Sequence, residues 1–127
     1  MAYYIQSIKA LGLVAALALP GMALAAGEPA MVKDGVLVDH KGMTLYTYDK
    51  DDGGKSVCND KCAENWPPLK AESTATPAGE WTVITRDDGA SQWAYDGDPL
   101  YTFVGDKKAG DKTGDGKGGV WKIAKPD

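Results

Sequence analysis

Cys58 and Cys62 are the residues best equipped for chemistry, and their spacing leaves three readings open. Four residues apart they share one face of a helix or close a tight loop, and either arrangement fits the usual disulfide geometry. An even cysteine count in a chain bound for an oxidising compartment favours a structural disulfide. Closing so short a loop contributes about 2 kcal/mol in the chain-entropy model. The second reading is a soft-metal site, since thiolates suit Cu(I) or Zn(II) and His40 with Met31 or Met43 could complete it. The third, thiol–disulfide exchange, lacks the Cys-x-x-Cys motif that tunes such pairs. A c-type haem needs a different spacing and a histidine directly after the second cysteine, which Cys62 does not have. His40, the single histidine, lies in a turn with no acid–base or nucleophile constellation around it, and Ser56, Ser73 and Ser91 lack a hydrolase motif. No catalytic residue, cofactor or bound metal is expected; the chain reads as a non-catalytic binding or structural module, with a metal-handling protein using Cys58 and Cys62, and an enzyme of unknown type, as the alternatives.

The acids and the aromatic rings pose the same choice between site and scaffold. Asp111, Thr113, Asp115 and Gly116 match positions 1, 3, 5 and 6 of a calcium-binding EF-hand loop, but position 12 is Lys122. Upstream, Asp49, Asp51 and Asp60 match positions 1, 3 and 12, with Gly53 at position 5. Neither loop is complete, so solvated turns are expected. Tyr46, Tyr48, Tyr101, Phe103, Trp66, Trp81, Trp93 and Trp121 could form a ligand-stacking surface or fill a small core. Their recurrence at equivalent positions favours the core. Asp51 and Asp106 stand at fixed offsets from the tyrosines and are expected to hydrogen-bond turn backbone.

That recurrence organises the chain. A shift of 55 positions lays Gly42, Leu45, Tyr46, Thr47, Asp51, Asp60 and Trp66 on Gly97, Leu100, Tyr101, Thr102, Asp106, Asp115 and Trp121 without a gap. Two copies of one supersecondary unit follow. Val36–Val38 and Leu45–Tyr48 read as a hairpin about the turn at Asp39–Gly42, and Gln92–Tyr95 with Leu100–Phe103 as its counterpart. Trp81–Thr85 and Val120–Ile123 read as further strands. Ser56–Trp66 reads as a short helix with Ser56 or Asn59 as N-cap, stopped by Pro67-Pro68. The expected architecture is mainly β: a single small domain of two pseudo-symmetric hairpin repeats, with long Gly/Asp loops and one short helix near the cysteines. Its boundaries are residues 32–127, with repeat one at about 35–69, a linker at 70–80 and repeat two at about 81–124.

Ahead of the domain, residues 1–25 read as a secretory signal. Lys9 precedes the apolar run Ala10–Leu19, Pro20-Gly21 break it, and Ala23-Leu24-Ala25 supplies the small residues of a cleavage site after Ala25. Ten residues of helix cover about 15 Å of a hydrocarbon core of about 30 Å, so no transmembrane segment is expected in the mature chain. Residues 26–31 read as a flexible lead-in. Removing residues 1–25 from 127 leaves 102, enough for one domain, and moves the net charge from −4 to −5. With that acidity, one arginine and no basic face, nucleic acid is not an expected partner.

Tyr46-Thr47-Tyr48-Asp49-Lys50-Asp51 and Tyr101-Thr102-Phe103-Val104-Gly105-Asp106 share the form Tyr-x-aromatic-x-x-Asp. With Cys58…Cys62-Ala63, Trp66-Pro67-Pro68-Leu69 and Gly119-Val120-Trp121, the chain resembles the secreted-repeat family of predicted lipoproteins over roughly residues 32–124. The resemblance implies a bacterial exported protein of two repeats with no established biochemical activity. With the export signal, it is expected to act in the periplasm or outside the cell, on an unknown envelope or extracellular partner. Lipid anchoring needs a cysteine at the cleavage point, and the two cysteines lie elsewhere, so no lipid anchor is expected here.

Overall fold

An Asp-Gly step turns the chain twice in the same way. In the computed structural model, which describes residues 29–72 and 74–127, Asp34 and Gly35 adopt φ of 53° and 81°. Positive φ at both central residues is the geometry of the tightest hairpin turn, and Asp-Gly is among the dipeptides that favour it. It joins β1 (Met31–Lys33) to β2 (Val36–Val38), with Met31 opposite Val38. Asp96 and Gly97 repeat the step at φ of 52° and 84°, joining β5 (Ser91–Tyr95) to β6 (Asp98–Pro99). β4 (Trp81–Thr85) pairs antiparallel with β5 along its whole length, Trp81 opposite Tyr95 and Thr85 opposite Ser91. The segment read as an export signal lies outside the described residues.

The fold is mainly β, with small sheets, one short α-helix and two repeats in one small domain. The helix α1 covers Lys61–Asn65 and is shorter than the sequence suggests. Its N-cap is Asp60, at φ 54° and with no side-chain capping bond, not Ser56 or Asn59. Both of those side chains are engaged elsewhere, by Arg86. A 3-10 turn, Lys117–Gly119, precedes the last strand, β7 (Trp121–Ile123).

The hairpin of the first copy is shorter than its sequence implies. Val38 bridges Thr44, and the Leu45 N–H donates to the Leu37 carbonyl at 3.0 Å. Beyond Leu45 the strand leaves its own repeat. β3 (Tyr46–Tyr48) pairs antiparallel with β7, Tyr46 opposite Ile123 and Tyr48 opposite Trp121. The second copy does the reciprocal thing: Tyr101 bridges Pro68, and the Thr102 N–H donates to the Pro67 carbonyl at 2.9 Å.

Two matching rings of backbone bonds record the exchange. In one, Leu37 donates to Ala124, Ala124 to Leu45 and Leu45 to Leu37, at 3.0, 2.8 and 3.0 Å. In the other, Trp93 donates to Leu69, Leu69 to Leu100 and Leu100 to Trp93, at 2.9, 2.9 and 3.1 Å. Each copy's closing segment therefore completes the other copy's sheet. Between the rings Tyr46 and Tyr101 exchange both backbone bonds, at 2.8 and 3.0 Å, so the pseudo-two-fold axis passes between them. One apolar cluster gathers Ala30, Leu37, Leu45, Leu100 and Ala124, and the other gathers Tyr46, Cys58, Trp66, Tyr101 and Trp121. Both draw on both copies.

Candidate functional site

Antiparallel pairing of Tyr46 with Tyr101 points each phenol into the loop of the opposite repeat. Tyr46 Oη donates to Asp106 Oδ2 at 2.7 Å, and Tyr101 Oη donates to Asp51 Oδ2 at 2.6 Å. The motif reads Tyr46…Asp51 and Tyr101…Asp106 along the chain, whereas in space the partners cross. Each carboxylate also holds its own loop, Asp51 by accepting the Val57 N–H and Asp106 by accepting the Thr113 N–H, both at 2.8 Å. The expected backbone role of these acids is thus only half of what they do.

Burial shapes the titration of these groups. Both phenols are fully buried and are pushed well above the usual phenol range, first by desolvation and then by the carboxylate each one faces. Asp51 is also raised, because burial outweighs the bonds from Tyr101 and Val57.

Around the phenols lie the rings. Tyr48 stacks on Trp121 at 4.3 Å, Trp121 on Trp66 at 3.8 Å with planes 5° apart, and Trp66 on Phe103 at 4.2 Å. Tyr46 meets Trp66 edge-on at 5.4 Å, and Tyr101 meets Trp121 edge-on at 5.2 Å. The stack obeys the same two-fold as the backbone, and its inner tryptophans are buried. Gly114 lies so close against Trp66 that a Cβ there would fall 2.7 Å from the ring.

The second repeat supplies a buried cation that has no counterpart in the first. Arg86, 5% exposed, donates through Nη1 to Ser56 Oγ and Gln92 Oε1, and through Nη2 to the Cys58 carbonyl and Asn59 Oδ1. The Gln92 amide donates onward to the Leu100 carbonyl at 2.7 Å, and Ser56 shares a hydrogen bond with the Tyr101 hydroxyl. Arg86, Ser56, Tyr101 and Asp51 thus form one hydrogen-bonded chain, running from the buried guanidinium to the half-buried carboxylate. The two ion pairs among the described residues, Lys55–Asp87 and Lys122–Asp49, are exposed and do not include Arg86. Sequence reasoning noted Arg86 as the single arginine and gave it no role. One arginine after a strand carries no local signature, and its acceptors are up to thirty residues away.

Cys58 and Cys62 are joined in a disulfide with Cα atoms 5.1 Å apart, and Cys58 is fully buried. Its sulfurs are bonded to each other, so neither is a thiolate ligand in this structure. His40 sits exposed in the turn after β2. Among the described residues the cluster of three potential metal ligands is Glu80, Asp96 and Asp127, all exposed, and it contains neither His40 nor a cysteine. The half-matched calcium loop is turned to other work. Asp111 accepts the Lys107 and Lys108 N–H groups, which lower its pKa, and Thr113 binds Asp106. A cleft of about 320 Å³ beside α1 is lined by Asn59, Asp60, Ala63, Arg86, Asp87 and Asp88, with Arg86 already engaged by four acceptors. No described helix is long and apolar enough to cross a membrane.

The crossed Tyr–Asp pairs fall inside two stretches, residues 30–70 and 82–125, that each match one family model, described as a secreted repeat of unknown function. No curated protein and no solved structure matches the chain. With two copies of the unit covering most of its length, this chain belongs to the family of secreted repeats of unknown function.

Proposed function

We propose that the chain is an exported, non-catalytic module of the bacterial envelope that binds or scaffolds a partner there. One observation carries this reading: the groups able to do acid–base chemistry are engaged in holding the two repeats together. Tyr46 and Tyr101 are tied to Asp106 and Asp51, and Arg86 is shared among four acceptors. An active site needs convergent polar groups left available in a concave pocket. The cleft beside α1 has acidic walls and an arginine already occupied, which suits a scaffold better than a reaction centre.

Export is supported by the family's secreted character, and the periplasm or the cell exterior is the proposed site of action, with cleavage after Ala25 and no lipid on the mature chain. The test is a native intact mass of protein purified from the exported fraction without chelator. The expected species is residues 26–127, two hydrogens lighter than the dithiol and free of metal. A full-hydrogen mass carrying copper or zinc would overturn the scaffold reading and make Cys58 and Cys62 metal ligands. A chain recovered from the cytoplasm with residues 1–25 attached would overturn export.

A further inference from the structure

The four-ring stack has chemistry that packing alone does not require. Indole is the side-chain ring that gives up one electron most readily, and two indoles in face-to-face contact share the resulting positive hole. Trp66 and Trp121 are in such contact, at 3.8 Å and 5°. Their outer neighbours differ in kind. Tyr48, half-buried, covers Trp121, while Phe103 covers Trp66 and carries the Lys117 ammonium 5.5 Å above its ring. A phenyl ring resists one-electron oxidation, and a cation over it repels a hole further. The Phe103 end is therefore closed and the Tyr48 end is open.

Each indole also touches, edge-on, a phenol that donates to a carboxylate: Tyr46 to Asp106 beside Trp66, and Tyr101 to Asp51 beside Trp121. A neutral phenol is hard to oxidise while it keeps its proton, and far easier when a base takes the proton as the electron leaves. A carboxylate at hydrogen-bond distance is such a base.

We propose that the ring stack and its two Tyr–Asp pairs form a one-electron site, a sink for small oxidising radicals. The radical removes one electron at the Tyr48 end and leaves as its anion. The hole passes to the Trp121–Trp66 pair. Tyr46 or Tyr101 then gives one electron to the indole cation, restoring it, and its phenolic proton crosses the hydrogen bond to Asp106 or Asp51. The net change is one oxidant reduced to its anion, one phenol converted to a neutral tyrosyl radical, and one carboxylate converted to a carboxylic acid. The second aromatic group, Trp81, Trp93 and Tyr95, supplies an internal contrast. Its rings meet edge-on, and the Tyr95 hydroxyl accepts the Asp127 N–H.

The experiment is pulse-generated azide radical on the full chain, followed by transient absorption and electron paramagnetic resonance. A tryptophan radical should appear first and convert to a tyrosyl radical at a rate independent of protein concentration. Asp51→Asn with Asp106→Asn keeps an acceptor oxygen but removes the base, and should slow conversion by about tenfold or more. Tyr46→Phe with Tyr101→Phe keeps the rings and should abolish that concentration-independent conversion. A native tryptophan radical that decays without tyrosyl formation overturns the proposal. So does conversion unchanged in the Asn variant, or conversion that survives in the Phe variant. Where a variant loses its near-ultraviolet circular dichroism, the native protein in D2O decides. Conversion must be slower there, and an unchanged rate overturns the proton step.

Discussion

A buried phenol bonded to a carboxylate holds a fold together only while it keeps its proton. Tyr46 and Tyr101 sit above the ordinary phenol value of 10.0 because of burial and the acid each one faces. Above about pH 10 the unfolded chain releases those protons while the native chain retains them, so the native state binds more protons and stability falls as pH rises. Below that pH the contribution is fully present. Asp51 is raised too, so stability also declines as pH rises through its titration and is not lost there on mild acidification. The check uses residues 26–127 carrying Tyr48→Phe and Tyr95→Phe, in which Tyr46 and Tyr101 are the remaining phenols. Phenolate absorbance is expected to rise only as near-ultraviolet circular dichroism is lost. Ionisation with the dichroism intact would show that the pairs do not hold the native state.

The loops and strands carry these pairs across the two-fold, and the crossing can be measured. Replacing one partner of a buried, charge-assisted hydrogen bond costs about 1.5–3 kcal/mol. A double-mutant cycle in urea between Tyr46→Phe and Asp106→Asn should show coupling above about 0.5 kcal/mol, and the same cycle with Asp51→Asn should be additive within that limit. Coupling to Asp51 instead would mean that each repeat closes on itself. The sequence made several elements legible: Val36–Val38 and Trp81–Thr85 stand out by β-branched runs, and both form strands with those bounds. β1 was missed although Asp34-Gly35 is a hairpin dipeptide, because three exposed residues at a chain lead-in carry no apolar pattern. The shortened helix reflects Arg86, which takes the side chains that local rules assign to caps. The exchange of closing segments was not legible at all. In a tandem repeat, Trp66–Leu69 and Trp121–Ala124 are near-equivalent partners for either sheet, and only the closed three-dimensional arrangement chooses between them.

At the scale of the molecule, neither repeat is a folding unit. Repeat one without β7 leaves β3 unpaired, and repeat two without Pro67–Leu69 loses the partner of Leu100–Thr102. Both apolar clusters straddle the boundary, so loss of either repeat exposes the tryptophan pair. Unfolding should be one cooperative transition with no half-folded plateau. Chains of residues 26–75 and 76–127 made separately should each lack tryptophan near-ultraviolet dichroism and recover it on mixing. A single half showing that signal alone would refute the interdependence.

The placement of β7 also has a temporal meaning. A nascent chain leaves the ribosome with repeat one first, and β7, the strand that completes it, follows every other described strand of both repeats. Until then β3 lacks the strand it pairs with, and Trp66 lacks the indole it stacks on. The sheet of repeat one and the tryptophan pair therefore close only once Trp121–Ile123 are available. The exchanged strand thus sets an order of assembly, in which repeat one, first in sequence, is completed only after repeat two.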